Sequence, residues 1–212
     1  VFSRSGELGQ LLLRGMAALG LEPSEKAVTG LLQYVALLVK WNRTYNLTAI
    51  RDPRAMITRH LLDSMAVMPY IEGPLLADVG TGPGLPGIPL ALLCPDYDWV
   101  LLDSNGKKTR FVTQAVAELG LGNVQVVTGR VAEVQLKSCC NTVISRAFTD
   151  IAAFIDGAGH LCCKDGQLLA MKGDPDVEEF QHLPDGYVAE QIPLQVPELD
   201  AQRCIIRIVH KQ

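Results

Sequence analysis

No stretch of this chain approaches the roughly 18 consecutive apolar residues that a membrane-spanning helix needs. The apolar run over residues 11–21 carries Arg14 and Gly15 and spaces its leucines as an amphipathic helix does. Glu7 and Gln10 precede it and no cleavage site follows, so no signal peptide is expected and the cytoplasm is the default compartment. Metal-binding patterns are missing too. None of the six cysteines stands in a Cys-x-x-Cys pair and no histidine sits at finger-like spacing, so no metal site is expected. The cysteines are Cys94, the adjacent pairs Cys139-Cys140 and Cys162-Cys163, and Cys204. Adjacent side chains diverge and bridge poorly, which leaves free thiols in a reducing compartment as the expectation. Internal repeats and low-complexity segments are also absent.

Positive charge is what one segment lacks. Residues 174–200 hold eight acidic side chains and no Lys or Arg. The net charge of −4 therefore hides a remainder with fifteen acids against nineteen bases. Within that remainder Lys40, Arg43, Arg51, Arg54 and Arg59 face only Asp52, and Lys107, Lys108 and Arg110 form a second knot. Such a distribution permits the basic face that RNA binding needs, but on charge alone solvated helix surface is the preferred reading. The composition, 48% hydrophobic and 20% charged over 212 residues, suits one globular domain with a modest extension.

What is present falls into two rhythms. Residues 1–72 read as a helical extension. Pro23 and Ser24 open a helix whose apolar positions Val28, Leu31, Leu32, Val35, Leu38 and Val39 recur at helical spacing. Residues 41–48 follow as a polar-aromatic loop. Asp52-Pro53 then starts a helix to about residue 70, with Asp as N-cap and Pro at the first helical position. Residues 73–212 alternate instead. Strands are predicted at 75–79, 99–102, 124–127, 142–144 and 167–171, with helices at 88–93, 107–119 and 151–160. This order predicts an α/β protein with a mostly parallel sheet and helices on both faces. The tail, 187–192 and 204–209, is two strands without a helix between them. A seven-stranded sheet ending in a C-terminal hairpin is, by analogy, the Rossmann-like class I S-adenosylmethionine-dependent methyltransferase fold.

The turn Asp78-Val79-Gly80-Thr81-Gly82-Pro83-Gly84 joins a strand to a helix, where free backbone N–H groups meet a ligand. Gly80, Gly82 and Gly84 let that backbone approach closely. Asp103 ends the next strand, where an acid reaches the ribose of an adenosine-containing cofactor. Residues 82–87 also satisfy G-x-G-x-x-G, the NAD fingerprint. Pro83 and Pro86, however, remove two N–H donors from a would-be phosphate cradle. Asp78 would gain nothing from a pyrophosphate, but suits the ammonium of a methionine moiety; its bland alternative is a turn cap. After the third strand, backbone groups of Val131 and Ala132 are placed to read adenine, while Arg130 and Glu133 either join them or cap the following turn.

A closer match runs through Trp41-Asn42-Arg43-Thr44-Tyr45-Asn46-Leu47-Thr48, Arg59-His60-Leu61-Leu62-Asp63-Ser64, the glycine turn through Leu90, Leu102-Asp103-Ser104, Ile144-Ser145-Arg146-Ala147-Phe148 and Lys172-Gly173. On these segments the chain resembles the glucose-inhibited division protein B family, bacterial 16S rRNA (guanine-N7)-methyltransferases. The resemblance implies S-adenosyl-L-methionine as cofactor and transfer of its methyl to N7 of one guanine in the decoding-centre loop. The partner would be 16S rRNA or the small ribosomal subunit, with no membrane and no metal, and the protein a monomer. It also implies that Gly80 and Leu85 border the methionine part, Val131 and Ala132 the adenine, and Arg146 the cofactor edge nearest the substrate. Family members often carry Glu where this chain has Ala132, so only a main-chain contact survives there.

Guanine N7 has an in-plane lone pair and no proton, so its methylation calls for positioning rather than a general base. The chain again lacks the alternatives. No Asp/Asn-Pro-Pro-Tyr/Phe motif and no Pro-Cys follows the fourth strand; Arg146 stands there, expected to hold the cofactor carboxylate, guanine O6 or a phosphate. Asn42, Asn46, Arg51, Arg59, His60, Lys107 and Lys108 are the RNA-contact candidates. Asn46 as a turn residue, His60 as a structural one, Trp41 as core and Arg59–Asp63 as a helix-surface ion pair are the plainer readings. Rival functions are a methyltransferase for a small molecule or protein, an NAD-dependent oxidoreductase and a catalytically silent RNA-binding module.

Overall fold

The structure is a computed structural model and describes residues 2–146, 148, 150–173 and 183–211. Ala147 of the matched motif, and Asp174, Asp176, Glu178 and Glu179 of the acidic segment, lie outside the described residues.

Helices come first. α1 (Glu7–Ala18) buries Leu11, Leu12 and Met16, and α2 (Glu25–Tyr45) begins where the Ser24 side chain accepts the Ala27 N–H. α2 continues through residues 41–45, which were expected as loop. Trp41 still has core to cover there: its ring stacks on Tyr45 at 5.2 Å and meets Phe111 at 5.6 Å. Asn46, left-handed at φ 49°, ends the helix. Asp52 caps the next helical path as expected, but that path is not one regular helix. It runs from α3 (Pro53–Met56) through a π-helical turn (Ile57–Leu62) into α4 (Asp63–Met65), then a 3-10 turn at Met68–Tyr70. Wide turns of this kind often mark functional sites.

The sheet has seven strands in the order β3-β2-β1-β4-β5-β7-β6. These are β1 (Leu75–Val79), β2 (Asp98–Asp103), β3 (Val124–Thr128), β4 (Cys140–Ser145), β5 (Cys162–Lys172), β6 (Tyr187–Leu194) and β7 (Arg203–His210). The first five are parallel, and β7 inserts antiparallel between β5 and β6. Strand alternation sends Leu76, Leu101, Ile144, Leu169 and Ile205 into one cluster and Ala77, Val100, Val143, Leu168 and Ile206 into another. The first cluster also holds the apolar faces of α1 and α2, with Ile88 of α5 (Gly87–Leu93) and Phe111 of α6 (Gly106–Leu119). The second is closed by Ile151, Phe154 and Ile155 of α7 (Ile151–Ala158). Residues 2–72 therefore share a core with the sheet. Their junction is pinned: the Thr142 hydroxyl accepts the Glu72 N–H at 2.9 Å and donates to the Glu72 carbonyl at 2.8 Å.

The cysteine expectation is corrected by a disulfide, Cys139–Cys163. Neighbours in sequence do not bridge each other, but β4 and β5 set Cys140 opposite Cys162, which brings Cys139 within 4.9 Å of Cys163, Cα to Cα. Burial pushes the remaining thiols of Cys94 and Cys140 up to about 11 and Cys162 to about 12, which makes them poor nucleophiles. Among the described residues no helix is long and apolar enough to cross a membrane, and no group of three or more metal-ligating side chains assembles.

Candidate active site

β1 lies at the centre of the parallel strands, between β2 and β4, and runs into the glycine turn at its carboxyl end. Gly80, Gly82 and Gly84 have φ of 69°, 59° and 96°. Two bonds tie the turn to β2: Thr81 N–H donates to the Leu102 carbonyl at 3.0 Å, and Gly82 N–H to Asp103 Oδ2 at 2.8 Å. The other Asp103 oxygen accepts the Asn105 N–H at 2.8 Å, so this acid is aimed at the turn. From the other side Tyr34 of α2 reaches over, its hydroxyl donating to the Pro83 carbonyl at 2.8 Å in the interior. Burial holds the Tyr34 hydroxyl far above its ordinary range, so it stays a donor. Tyr34→Phe would leave that carbonyl buried and unpaired. The expected loss is about 1–3 kcal/mol, read as a lower melting temperature with the secondary structure unchanged.

Asp78 is fully buried. Its Oδ2 accepts from the Thr81 hydroxyl at 2.6 Å and from Gly87 N–H at 2.8 Å, while Oδ1 has no hydrogen-bond partner among the described residues. Desolvation pushes its carboxyl up to about 6, against the lowering effect of those two donors and of Arg146. A buried acceptor without a donor is a place where a donor belongs. Gly87 permits the arrangement: a Cβ there would sit 2.1 Å from Leu101 Cδ2 and 2.8 Å from Asp78 Oδ2. Leu85 differs from the expectation in one respect. Its side chain is core and its N–H donates to the Thr81 carbonyl, so it supports the turn from beneath.

Two clefts open at the carboxyl edge of the strands, where ligands of such sheets sit. One, of 260 Å³, is lined by Gly80, Asp103, Gly129, Arg130, Val131 and Phe148 among others. Ala132 is exposed and outside that lining. The second, of 450 Å³, is lined by Arg59, His60, Asp63, Arg146, Lys172 and Arg203 among others. A larger groove of 810 Å³ lies between the start of α2 and the end of α6, by the amino ends of β2 and β3 and away from the turn.

The Arg59–Asp63 pair is not made. Asp63 is buried and takes Arg146 and Arg203 instead, because an exposed partner satisfies a desolvated carboxylate poorly. His60 is buried as well. Its Nδ1 donates to the Arg59 carbonyl at 3.1 Å, its Nε2 accepts from Thr48 Oγ1 at 2.9 Å, and burial lowers its pKa to about 4. Asn42 accepts the Thr48 N–H and donates to the Ile50 carbonyl, so Asn42 and His60 both shape the loop after α2. Asn46 is exposed at the helix end. Arg51 and Arg43 flank a separate 310 Å³ depression, and Lys107 and Lys108 occupy the first turn of α6. Arg54 of the basic cluster is taken by Glu7 at 2.6 Å. The RNA candidates thus spread over three regions. Tyr34 and Arg203 have no role in the sequence reading, whereas Thr81 and Phe148 enter it only within the glycine turn and a matched segment, and Asp63 only within a matched segment and as the partner of Arg59.

A family model described as rRNA small subunit methyltransferase G matches residues 28–206. The chain is 48% identical over 203 residues to the ribosomal RNA small subunit methyltransferase G of Nitrosospira multiformis, covering 92% of this chain and 94% of that one. It is 50% identical over 200 residues to the protein of the same name from Chromobacterium violaceum, covering 93% and 96%. In fold it resembles a SAM-dependent methyltransferase from Aquifex aeolicus, with TM-score 0.55, 17% identity and coverage of 80% and 97%. The antiparallel β7 and the donor-poor glycine turn agree with that fold rather than with a dinucleotide-binding one. With the matched region running from α2 into β7, the chain belongs to the rRNA small subunit methyltransferase G family.

Proposed function

We propose that this protein transfers a methyl group from S-adenosylmethionine to N7 of a guanine in the decoding-centre loop of 16S rRNA. Family membership supports the reaction and the RNA. The observation that carries the choice of acceptor atom is the lining of the 450 Å³ cleft. Apart from cationic side chains, its titratable groups among the described residues are His60, Asp63 and Cys204, whose Sγ donates to the Gly173 carbonyl at 3.8 Å. The His60 Nε2 already accepts from Thr48, and both Asp63 oxygens hold guanidinia. A site with no free base suits an acceptor that has a lone pair and no proton to lose.

When bound, S-adenosylmethionine supplies an electrophilic methyl on a sulfonium whose leaving group is a neutral thioether. Asp78 Oδ1 takes the α-ammonium, and Asp103 the ribose hydroxyls. Backbone of Gly80, Gly82 and Gly84 passes close to the methionine part, with Leu85 beneath. Val131 and Ala132 offer main-chain groups to adenine, and Phe148 forms a wall beside it. Arg146 positions the substrate side and moves no proton. Arg51, Arg59, Lys107 and Lys108 meet phosphates, with Asn42, Asn46 and His60 setting the loop beside them. Residues 1–72 form the extension that completes the substrate side of the methyltransferase domain, and the protein acts as a monomer in the cytoplasm.

The test is incubation with methyl-labelled cofactor and free 16S rRNA, assembled small subunits or cell extract. Label at one guanine of the small-subunit RNA, cleavable as N7-methylguanine, is the expected result. Label in protein or metabolites with none in RNA overturns the proposal, and calorimetry with S-adenosylmethionine and NAD checks the cofactor separately.

A further inference from the structure

Three parts of the fold meet at Asp63. It lies on α4 of the helical extension, yet its oxygens hold one arginine that follows β4 and another that opens β7. Oδ2 accepts from Arg146 Nη1 at 3.1 Å and Oδ1 from Arg203 Nε at 2.8 Å. The Asp63 side chain is 7% exposed, while those of Arg146 and Arg203 are 25% and 27% exposed. One buried negative charge therefore fixes two half-buried positive ones, leaving the triad at net +1. Arg59 on the same cleft adds to that surplus.

The donors left over matter most. Arg203 Nη1 is used by the Gln202 carbonyl at 2.8 Å. Arg203 Nη2 and Arg146 Nε and Nη2 make no other hydrogen bond among the described residues. Two guanidinia, each gripped at one end by the same carboxylate, thus line a 450 Å³ cleft with N–H groups to spare. Planar N–H forks match the oxygens of a phosphate, and fixing them beforehand lowers the entropy lost on binding.

We propose that Arg146 and Arg203, fanned on the buried Asp63 carboxylate, clamp one phosphodiester of the RNA strand, with Asp63 as the positioning residue; this rests on the RNA reading given above. The surplus charge calls for an oxyanion. Guanine O6 meets that demand less well, because its neighbour N7 becomes cationic in the product and would face two guanidinia. The carboxylate of the methionine moiety is the other oxyanion within the same reaction, and the experiment separates it.

Affinity for small ribosomal subunits, affinity for S-adenosylmethionine, and KM and kcat for methyl transfer are measured for Arg203→Ala, Arg203→Lys and Asp63→Asn. Arg203→Ala is expected to weaken subunit binding about tenfold or more and to reduce its salt dependence by about one released ion. Arg203→Lys, which keeps the charge but loses the fork, should fall between it and wild type. Asp63→Asn should act mainly on KM, with the protein folded by thermal melting. S-adenosylmethionine affinity should stay within about twofold in the Arg203 variants, since the clamp holds RNA. A neutral methylphosphonate placed at successive positions around the target guanine should mimic Arg203→Ala at one position in wild type and add nothing in the variant.

Loss of cofactor affinity with subunit affinity intact assigns the clamp to the methionine carboxylate and overturns the proposal. So do variants that bind subunits as wild type does. The two readings fail separately: wild type that labels no rRNA defeats the function, whereas wild type that labels it beside indistinguishable variants defeats the clamp alone.

Discussion

Asp78→Asn is expected to remove S-adenosylmethionine binding and, at neutral pH and above, to raise the melting temperature of the ligand-free protein. Both effects come from one buried oxygen. Desolvation moves the Asp78 carboxyl from 3.8 up to about 6. The fold therefore favours the neutral acid. Its contribution to stability is complete below pH 3.8, is lost as the pH rises through about 6, and is absent above that. A rise of about two units corresponds to about 3 kcal/mol. An amide carries no such penalty, though its NH2 replaces an oxygen that already lacked a partner, so the expected gain at pH 8 is about 1–3 kcal/mol.

Binding moves the other way. An ammonium buried against a neutral amide loses its charge partner, a change of about 3–5 kcal/mol, or at least about a hundredfold in affinity. In wild type a proton on Asp78 competes with the ammonium. Affinity should be flat above pH 6 and fall by up to about tenfold per unit below it, with proton uptake on release. Calorimetry and thermal melting between pH 5 and 8 read both predictions. A variant that binds the cofactor normally, or that melts below wild type at pH 8, would refute the role given to Asp78.

Gly87→Ala is expected to cause a similarly large loss, but of stability and binding together. The new Cβ would lie 2.1 Å from Leu101 Cδ2 and 2.8 Å from Asp78 Oδ2, the acceptor of the Gly87 N–H. The leucine tip can turn aside; the carboxylate cannot, since the Thr81 hydroxyl and the core hold it. α5 must then lift from the sheet. Overpacking of about 1–3 kcal/mol adds to a charged hydrogen bond worth about 1.5–3 kcal/mol, which lowers Tm by roughly 10 °C in a chain of this size. Cofactor affinity should fall with it, because α5 and the glycine turn move as one. An alanine variant that melts within about 2 °C of wild type would show that this approach is not close packing.

The strands and most helix limits were legible because they depend on local period. Leu75–Val79 is an apolar run ended by glycines, and Gly120 stops α6 as an αL cap. Residues 41–45 look like loop because polar residues surround Trp41, whose contact with Phe111 exists only once α6 packs alongside. The disulfide is hidden from the sequence for the same kind of reason. Pairing of β4 with β5 brings together thiols 24 residues apart, and no local rule contains that register.

For the site, the turn geometry and both acids of the cofactor region follow from the order strand, glycines, helix, strand, acid, since each step is set by its neighbours in the chain. The substrate side is different in kind. Arg146 and Arg203 lie 83 and 140 residues beyond Asp63 in the chain. Their association depends on antiparallel β7 slotting beside β5 and on α4 packing against the sheet's carboxyl edge. The same holds for Tyr34, which reaches 49 residues forward to brace the glycine turn. Period and turn chemistry are local energies, written in adjacent residues. Which buried charge meets which guanidinium is settled by desolvation after the layers have packed, and only the folded chain contains that information.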